Sequence, residues 1–254
     1  MSSTQDDLAS RARSEAEFHD ARINITDERR LSYAYESVRD VYTFAGVPQE
    51  CLDKRVLEVG CFRGDQALAL RGFEGKYTGI DISPAAVNYC NQLGLPARFD
   101  FVVDDANVLE SVGDGSVDYA FGNGVLHHLD LPRFAPVLAG KLSANGYARF
   151  VEPAQGNFVL RMFRKLTPKL RTPDEFPFDA ATIALLEKHF DVRVSYQAFL
   201  RPYLPMLLFN SAPATRVARW LDDRLLKLRW LQGQAWLLQI ELRKRAVAGG
   251  QSAA

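Results

Sequence analysis

The spacing of apolar positions predicts one long helix, then an alternation of strands and helices. Leu31, Tyr35, Val38 and Tyr42 recur on one face of residues 26–45. Thr26 stands as a cap, Asp27 and Glu28 suit the positive end, and Gly46 and Pro48 stop the helix. From Arg55 the period changes. Short apolar runs at Val56–Val59, Tyr77–Ile80, Phe99–Val103, Val117–Phe121 and Tyr147–Val151 read as strands. Helical stretches separate them: Gly64 to Leu70, a segment opened by Ser83 and Pro84 and closed by Gly94, and Leu131–Leu142. A helix over Asp179–His189, a strand over Val192–Tyr196 and a closing strand over Ala235–Leu242 bring the strands to seven. Strands joined by helices predict a doubly wound α/β fold, a mostly parallel sheet with right-handed crossovers.

Residues 199–232 form an insertion before the last strand. In its helix Val217, Trp220, Leu221, Leu225 and Leu228 read as the apolar face, and Arg216, Arg219, Asp222, Asp223 and Lys227 as the solvent face. One domain of 254 residues is expected. A helical cap spans 1–50, a core 51–155, a second half with the insertion 156–244, and a tail 245–254.

Composition narrows the function classes. The 31 basic and 31 acidic residues cancel, so no bulk field draws nucleic acid or an anionic membrane. Cys51, Cys61 and Cys90 are odd in number and lack CxxC spacing, which predicts neither a disulfide framework nor a metal site. The polar start MSSTQDDLAS is no secretory signal, and no apolar run approaches the ~20 residues that span a bilayer. A cytoplasmic protein without stable membrane insertion is expected.

The most informative stretch is Val56-Leu-Glu-Val-Gly60-Cys-Phe-Arg-Gly64-Asp65. A strand ending at Gly60 and a helix opening at Gly64 let the backbone pass close to a ligand; both glycines also suit an ordinary strand-to-helix turn. A nicotinamide-dinucleotide fingerprint wants glycines where Phe62 and Asp65 stand, and Glu58 is a poor neighbour for a pyrophosphate. An acid there suits a ligand with an ammonium group.

The stretch resembles the class I S-adenosylmethionine (SAM)-dependent methyltransferases, over about residues 50 to 155. The family's acid-x-G-x-G-x-G motif is met at Glu58, Gly60 and Gly64, with Phe62 in place of the middle glycine. Asp81, 21 residues past Gly60, matches the acid that grips the ribose hydroxyls, and Ile82 would pack on adenine. Asp105-Ala106 matches the pair that meets the adenine amino group, with Asp104 as the neighbouring candidate. Cys61 and Asn123 complete the implied cofactor contacts. The resemblance further implies the strand order 3-2-1-4-5-7-6 with the last strand antiparallel, SAM as cofactor and S-adenosylhomocysteine as product.

Methyl transfer draws much of its rate from orientation, yet an oxygen or nitrogen acceptor still has a proton to lose. Histidine suits that task. His127 and His128 follow the fourth strand, and Glu152 in Phe-Val-Glu-Pro ends the fifth. The resemblance implies His127 as base, His128 as second choice and Glu152 as the orienting partner. The bland alternative has one histidine packing under the cofactor and the other capping the next helix.

Three further segments are candidates. The first helix would close over SAM with Tyr33 or Tyr35, helped by Phe18, His19 and Arg22; Tyr35 equally fits the core stripe. Arg161, Arg164, Lys165, Lys169 and Arg171, next to Arg171-Thr-Pro-Asp-Glu-Phe-Pro177, would greet an anionic acceptor or simply be solvated. The insertion, apolar at Tyr203–Phe209, reads as a lid over the acceptor pocket or a homodimer contact before a membrane element, because its helix is mixed in charge. The expectation is methylation of a small-molecule acceptor, at oxygen or nitrogen before carbon, and no nucleic-acid partner. A SAM-binding regulatory or assembly protein and an NAD(P)-dependent oxidoreductase are the rivals.

Overall fold

The computed structural model describes residues 46–70, 72–154, 156–158, 178, 180–203 and 212–245, with 13, 14, 16, 17, 20 and 162 as separate positions. The predicted helix over 26–45 with Tyr33 and Tyr35, the lid candidates Phe18, His19 and Arg22, the basic cluster with the Arg171–Pro177 stretch, and residues 204–209 lie outside the described residues.

Seven strands are described: β1 (Arg55–Val59), β2 (Lys76–Asp81), β3 (Phe99–Val103), β4 (Val117–Asn123), β5 (Leu142–Pro153), β6 (Phe190–Gln197) and β7 (Leu237–Lys244). The described helices are α1 (Asp65–Ala69), α2 (Pro84–Asn91), α3 (Leu131–Lys141), α4 (Ala180–Leu186), α5 (Ala212–Leu225) and α6 (Arg229–Gln232). The sheet order is β3-β2-β1-β4-β5-β7-β6, with β7 antiparallel to both neighbours and the pairs from β3 to β5 parallel. This is the implied order.

Side chains alternate across the sheet with period two. Leu57, Val59, Ile80, Ala120 and Phe150 face a core shared with Phe134 and Leu138 of α3 and Leu186 of α4. On the other face Val56, Tyr77, Tyr119 and Phe121 meet Ala67 of α1 and Val87 and Cys90 of α2. That second core is aromatic: the Tyr77 and Phe99 ring centroids are 5.1 Å apart, and those of Tyr119 and Tyr147 are 4.9 Å apart.

Several boundaries differ from the periodicity, and the starts of β5 and β7 have clear causes. β5 begins at Leu142 because that residue pairs with Val117 ahead of an irregularity in the ladder. β7 begins only at Leu237, because Trp236 is used by a junction: its N–H donates to the Ala198 carbonyl and its carbonyl accepts from Ala154 N–H, each at 2.7 Å.

The faces of α5 differ more deeply. Its buried stripe is Ala214, Ala218 and Asp222, whereas Val217 and Trp220 are 54% and 56% exposed. Asp222 faces inward because its carboxyl group accepts the backbone N–H groups of Phe199, Leu200 and Arg201 at 2.9, 2.6 and 3.2 Å. These follow Ala198, a left-handed residue at φ 59° that turns the chain out of β6. Satisfying three backbone donors outweighs hiding two apolar side chains.

The β1–α1 loop sets the ligand-facing edge. Gly60, Phe62 and Gly64 take φ of 77°, 40° and 70°. At φ 70° Gly64 sits where glycine is favoured, and an added Cβ would also press to 2.7 Å against Leu93 Cδ1. Phe62 holds the left-handed position with a side chain. Its N–H donates to Asp81 Oδ2 at 2.9 Å and its carbonyl accepts from the Cys90 thiol at 3.3 Å. Phe62→Gly and Phe62→Ala both remove the ring, but only glycine relieves the backbone. The glycine variant is expected to be the more stable by about 1 kcal/mol, the reverse of the usual order, as read from paired urea melts.

Candidate active site

The parallel strands β1 to β5 end on one edge of the sheet, which gathers Gly60, Asp81, the Asp104–Ala106 loop, Asn123 and Glu152. In such sheets the crevice beyond the carboxyl ends is where ligands bind. Gly60 and Cys61 donate their N–H groups to the Ile80 carbonyl at 2.9 and 3.0 Å, which holds the loop against the end of β2. An added Cβ at Gly60 would come within 3.2 Å of Val125 Cγ2, tight against the β4 side.

Asp81 is buried and oriented from both sides. Its Oδ1 accepts the Ser83 N–H and its Oδ2 the Phe62 N–H, each at 2.9 Å. Ser83 then caps α2, accepting from Ala86 N–H at 3.0 Å. The Ser83 hydroxyl also bonds the Asp20 carboxyl group, which brings a described residue of the N-terminal segment to the entrance of this site. Ile82 is half-buried between Asp81 and Ser83.

The two acids after β3 separate by their bonds. Asp104 accepts from Ser111 N–H and Oγ–H at 2.9 and 2.5 Å and so fastens the following loop. Asp105 accepts from Asn107 through Oδ1 alone, leaving Oδ2 clear among the described residues. Of the pair, Asp105 has the oxygen to offer. Ala106 beside it is buried in the core.

Glu58 does not face open space. Its carboxyl group is buried on the aromatic side of the sheet and accepts the Tyr77 hydroxyl. Burial pushes its pKa well above the usual carboxyl range, and Cys90, Asp81 and Asp65 nearby push the same way. Tyr77 as its partner was not signalled by any motif. Cys61 is also buried, and the bond to Cys90, with burial behind it, drives its thiol pKa upward, so only its backbone serves the loop edge.

His127 and His128 lie just beyond the end of β4. His127 Nδ1 lies 2.6 Å from Glu152 Oε2, with the Glu152 side chain fully buried and that of His127 13% exposed. Glu152 Oε1 accepts the Val125 and Leu126 N–H groups at 3.0 and 2.8 Å, at the entry of the 3-10 turn Leu126–His128. The carboxyl group thus fixes both the turn and the ring. The His127 and His128 ring centroids are 4.0 Å apart. An imidazole that donates Nδ1–H to a carboxyl group keeps a lone pair on Nε2, the arrangement of a general base with an orienting partner.

Comparison with known proteins agrees with this architecture. A methyltransferase-domain family matches residues 56–144, from β1 into the start of β5. A candidate methyltransferase from Haloferax volcanii, solved with the Trm112 methyltransferase activator, superposes with a TM-score of 0.63 at 17% identity, covering 90% of this chain and 98% of that one. Geranyl diphosphate C-methyltransferase from Streptomyces coelicolor gives 0.61 at 12%, covering 92% and 98%. A SAM-dependent methyltransferase from Archaeoglobus fulgidus gives 0.55 at 19%, covering 93% and 98%. These structures share the fold, and residues 56–144 match the methyltransferase-domain family, so the chain carries a Rossmann-like methyltransferase domain with SAM as its cofactor.

Proposed function

We propose that the protein methylates a small-molecule acceptor at oxygen or nitrogen, in sugar, lipid or secondary-metabolite biosynthesis, with His127 as general base and Glu152 as its positioning partner. The observation that carries this reading is the 2.6 Å contact between His127 Nδ1 and a fully buried Glu152 whose other oxygen holds two backbone N–H groups. A packing histidine does not need a partner so firmly anchored. His128, stacked beside it, is the second candidate.

The residues at the crevice suit SAM. Asp81, held by two N–H bonds at the end of β2, would accept the ribose hydroxyls. Asp105 Oδ2 would take the adenine amino group, with Ile82 and Ala106 against the ring. Gly60, Cys61 and Gly64 would present backbone, Asn123 would line the methyl-transfer side, and Glu58 would answer the ammonium by giving up its bond to the Tyr77 hydroxyl. Bound SAM supplies an electrophilic methyl group and leaves as S-adenosylhomocysteine. The work of this chain is to hold the acceptor near His127, take its proton on Nε2 and share the resulting charge with Glu152.

SAM titration followed by assay of S-adenosylhomocysteine across a broad acceptor panel and small-molecule extract tests the proposal. With the acceptor found, His127→Ala should lower kcat by about 10²- to 10⁴-fold and remove the acid limb of its pH profile, with SAM affinity retained. Glu152→Gln keeps an acceptor for the two N–H groups and should cost less. Unchanged turnover in His127→Ala and His128→Ala alike would sink the assignment. SAM binding with no product in any pool would make the chain a non-catalytic binder.

Glu58 gives an independent check. With its pKa raised by burial, its protonated form favours the folded chain. That stability is full below the ordinary value near 4.5 and fades as pH rises through the raised one. Glu58→Gln should therefore lose less stability than the parent between about pH 5 and pH 8 in urea melts. A cationic ammonium beside Glu58 would ionise it, so SAM binding should release protons and tighten with pH. Calorimetry in two buffers of different ionisation enthalpy reads this directly, and Glu58→Gln should abolish it.

A further inference from the structure

The outward face of the insertion has no role in the site described above. Asp222 turns inward from α5, which removes an acid from the surface and leaves Trp220 and Val217 outside. Leu228 and Trp230, around α6, are 44% and 76% exposed. In the same stretch Arg216, Arg219, Arg224, Lys227 and Arg229 are exposed, and among its described residues Asp223 is the one exposed acid. The Arg224 guanidinium lies over the Trp220 ring at 5.2 Å. In a chain whose charges sum to zero, this is a local excess of positive charge set among exposed aromatic and aliphatic side chains.

We propose that this face, centred on Trp220 and Trp230, docks the protein reversibly on an anionic lipid bilayer. The chemistry selects that partner. Tryptophan favours the headgroup level, where its ring is buried and its N–H remains wet. Arginine and lysine stems lie along apolar surface while their heads reach lipid phosphates. Each such cation near an anionic leaflet is worth about fivefold in partitioning. A protein interface would centre on a core depleted in charge, whereas here five exposed cations share the stretch with the exposed apolar groups and one of them lies over Trp220. Single-stranded nucleic acid would stack on the indoles but would leave Val217 and Leu228 unburied, which a bilayer covers. The objection drawn from sequence, that the helix is mixed in charge, is removed by the burial of Asp222. No helix among the described residues is long and apolar enough to cross a membrane, so the contact is peripheral. It does not depend on which acceptor is methylated.

Co-sedimentation of the full chain with vesicles of phosphatidylcholine, and with vesicles in which about a third is phosphatidylglycerol, tests the proposal. Binding should be at least about tenfold stronger to the anionic vesicles and fall as salt rises from about 0.05 to 0.5 M. Trp220→Ala with Trp230→Ala should weaken it by about tenfold, and Arg216→Glu, Lys227→Glu and Arg229→Glu together should abolish it. All variants should keep the parent's thermal shift with SAM, which separates lost docking from lost folding. A parent chain that stays in the supernatant with anionic vesicles at low salt overturns the proposal, as does binding indifferent to both variant sets. A dimer in sedimentation analysis that these variants dissociate, with no vesicle binding, gives the face to a second copy and overturns it equally.

Discussion

Where parallel strands stop together at one edge of a sheet, their ladders stop too, and the backbone N–H groups of the turns beyond need other acceptors. In this protein buried carboxyl groups supply them. Asp81 takes the N–H groups of Phe62 and Ser83, Glu152 those of Val125 and Leu126, and Asp222 those of Phe199, Leu200 and Arg201. Each joins segments far apart in sequence: β2 to the β1–α1 loop, β5 to the turn after β4, α5 to the exit of β6. The edge is rigid because burying an acid without such partners would be costly, and leaving the N–H groups bare would be costly as well.

Rigidity of this kind is also what the chemistry needs. A methyltransferase lowers its barrier chiefly by holding two reactants in line, so groups that hold the crevice in shape contribute to rate without touching the reacting atoms. Glu152 does both. One oxygen sets the turn that carries His127, and the other sets the ring itself. With His127 as the base we propose, removing Glu152 would disturb position and proton transfer together, whereas the amide variant, which can still accept from the turn, separates the two.

The sheet was legible from sequence because its signals are local and repeated: seven apolar runs, helix entries such as Ser83-Pro84, and acids at fixed distances from Gly60. The nearness of His127 and Glu152 was legible only through resemblance, since they stand 25 positions apart in the chain. Other features depend on partners that no pattern names. Glu58 was expected to face a ligand's ammonium, yet its carboxyl group is bonded to Tyr77, which lies in the neighbouring strand. The choice between Asp104 and Asp105 rests on Ser111, whose backbone and side chain engage the first of them. Phe62 looked like a lost glycine; the backbone keeps the glycine conformation anyway, because Asp81 and Cys90 hold it from either side.

The insertion shows why periodicity misleads where tertiary demand is strong. A helical wheel ranks positions by hydrophobicity, and on that ranking Asp222 belongs outside and Trp220 inside. Three backbone donors after Ala198 reverse the order, since one well-bonded carboxyl group costs less to bury than three unsatisfied N–H groups. The reversal alters the surface as much as the core. With Asp222 inside, the outer face of α5 keeps its cations and leaves the Trp220 indole exposed beneath Arg224. A net charge of zero says nothing about such a face, because the sum is taken over residues that water, lipid or a partner never meets together. What a neighbouring surface meets is the exposed subset, and in this insertion the exposed subset is basic and aromatic.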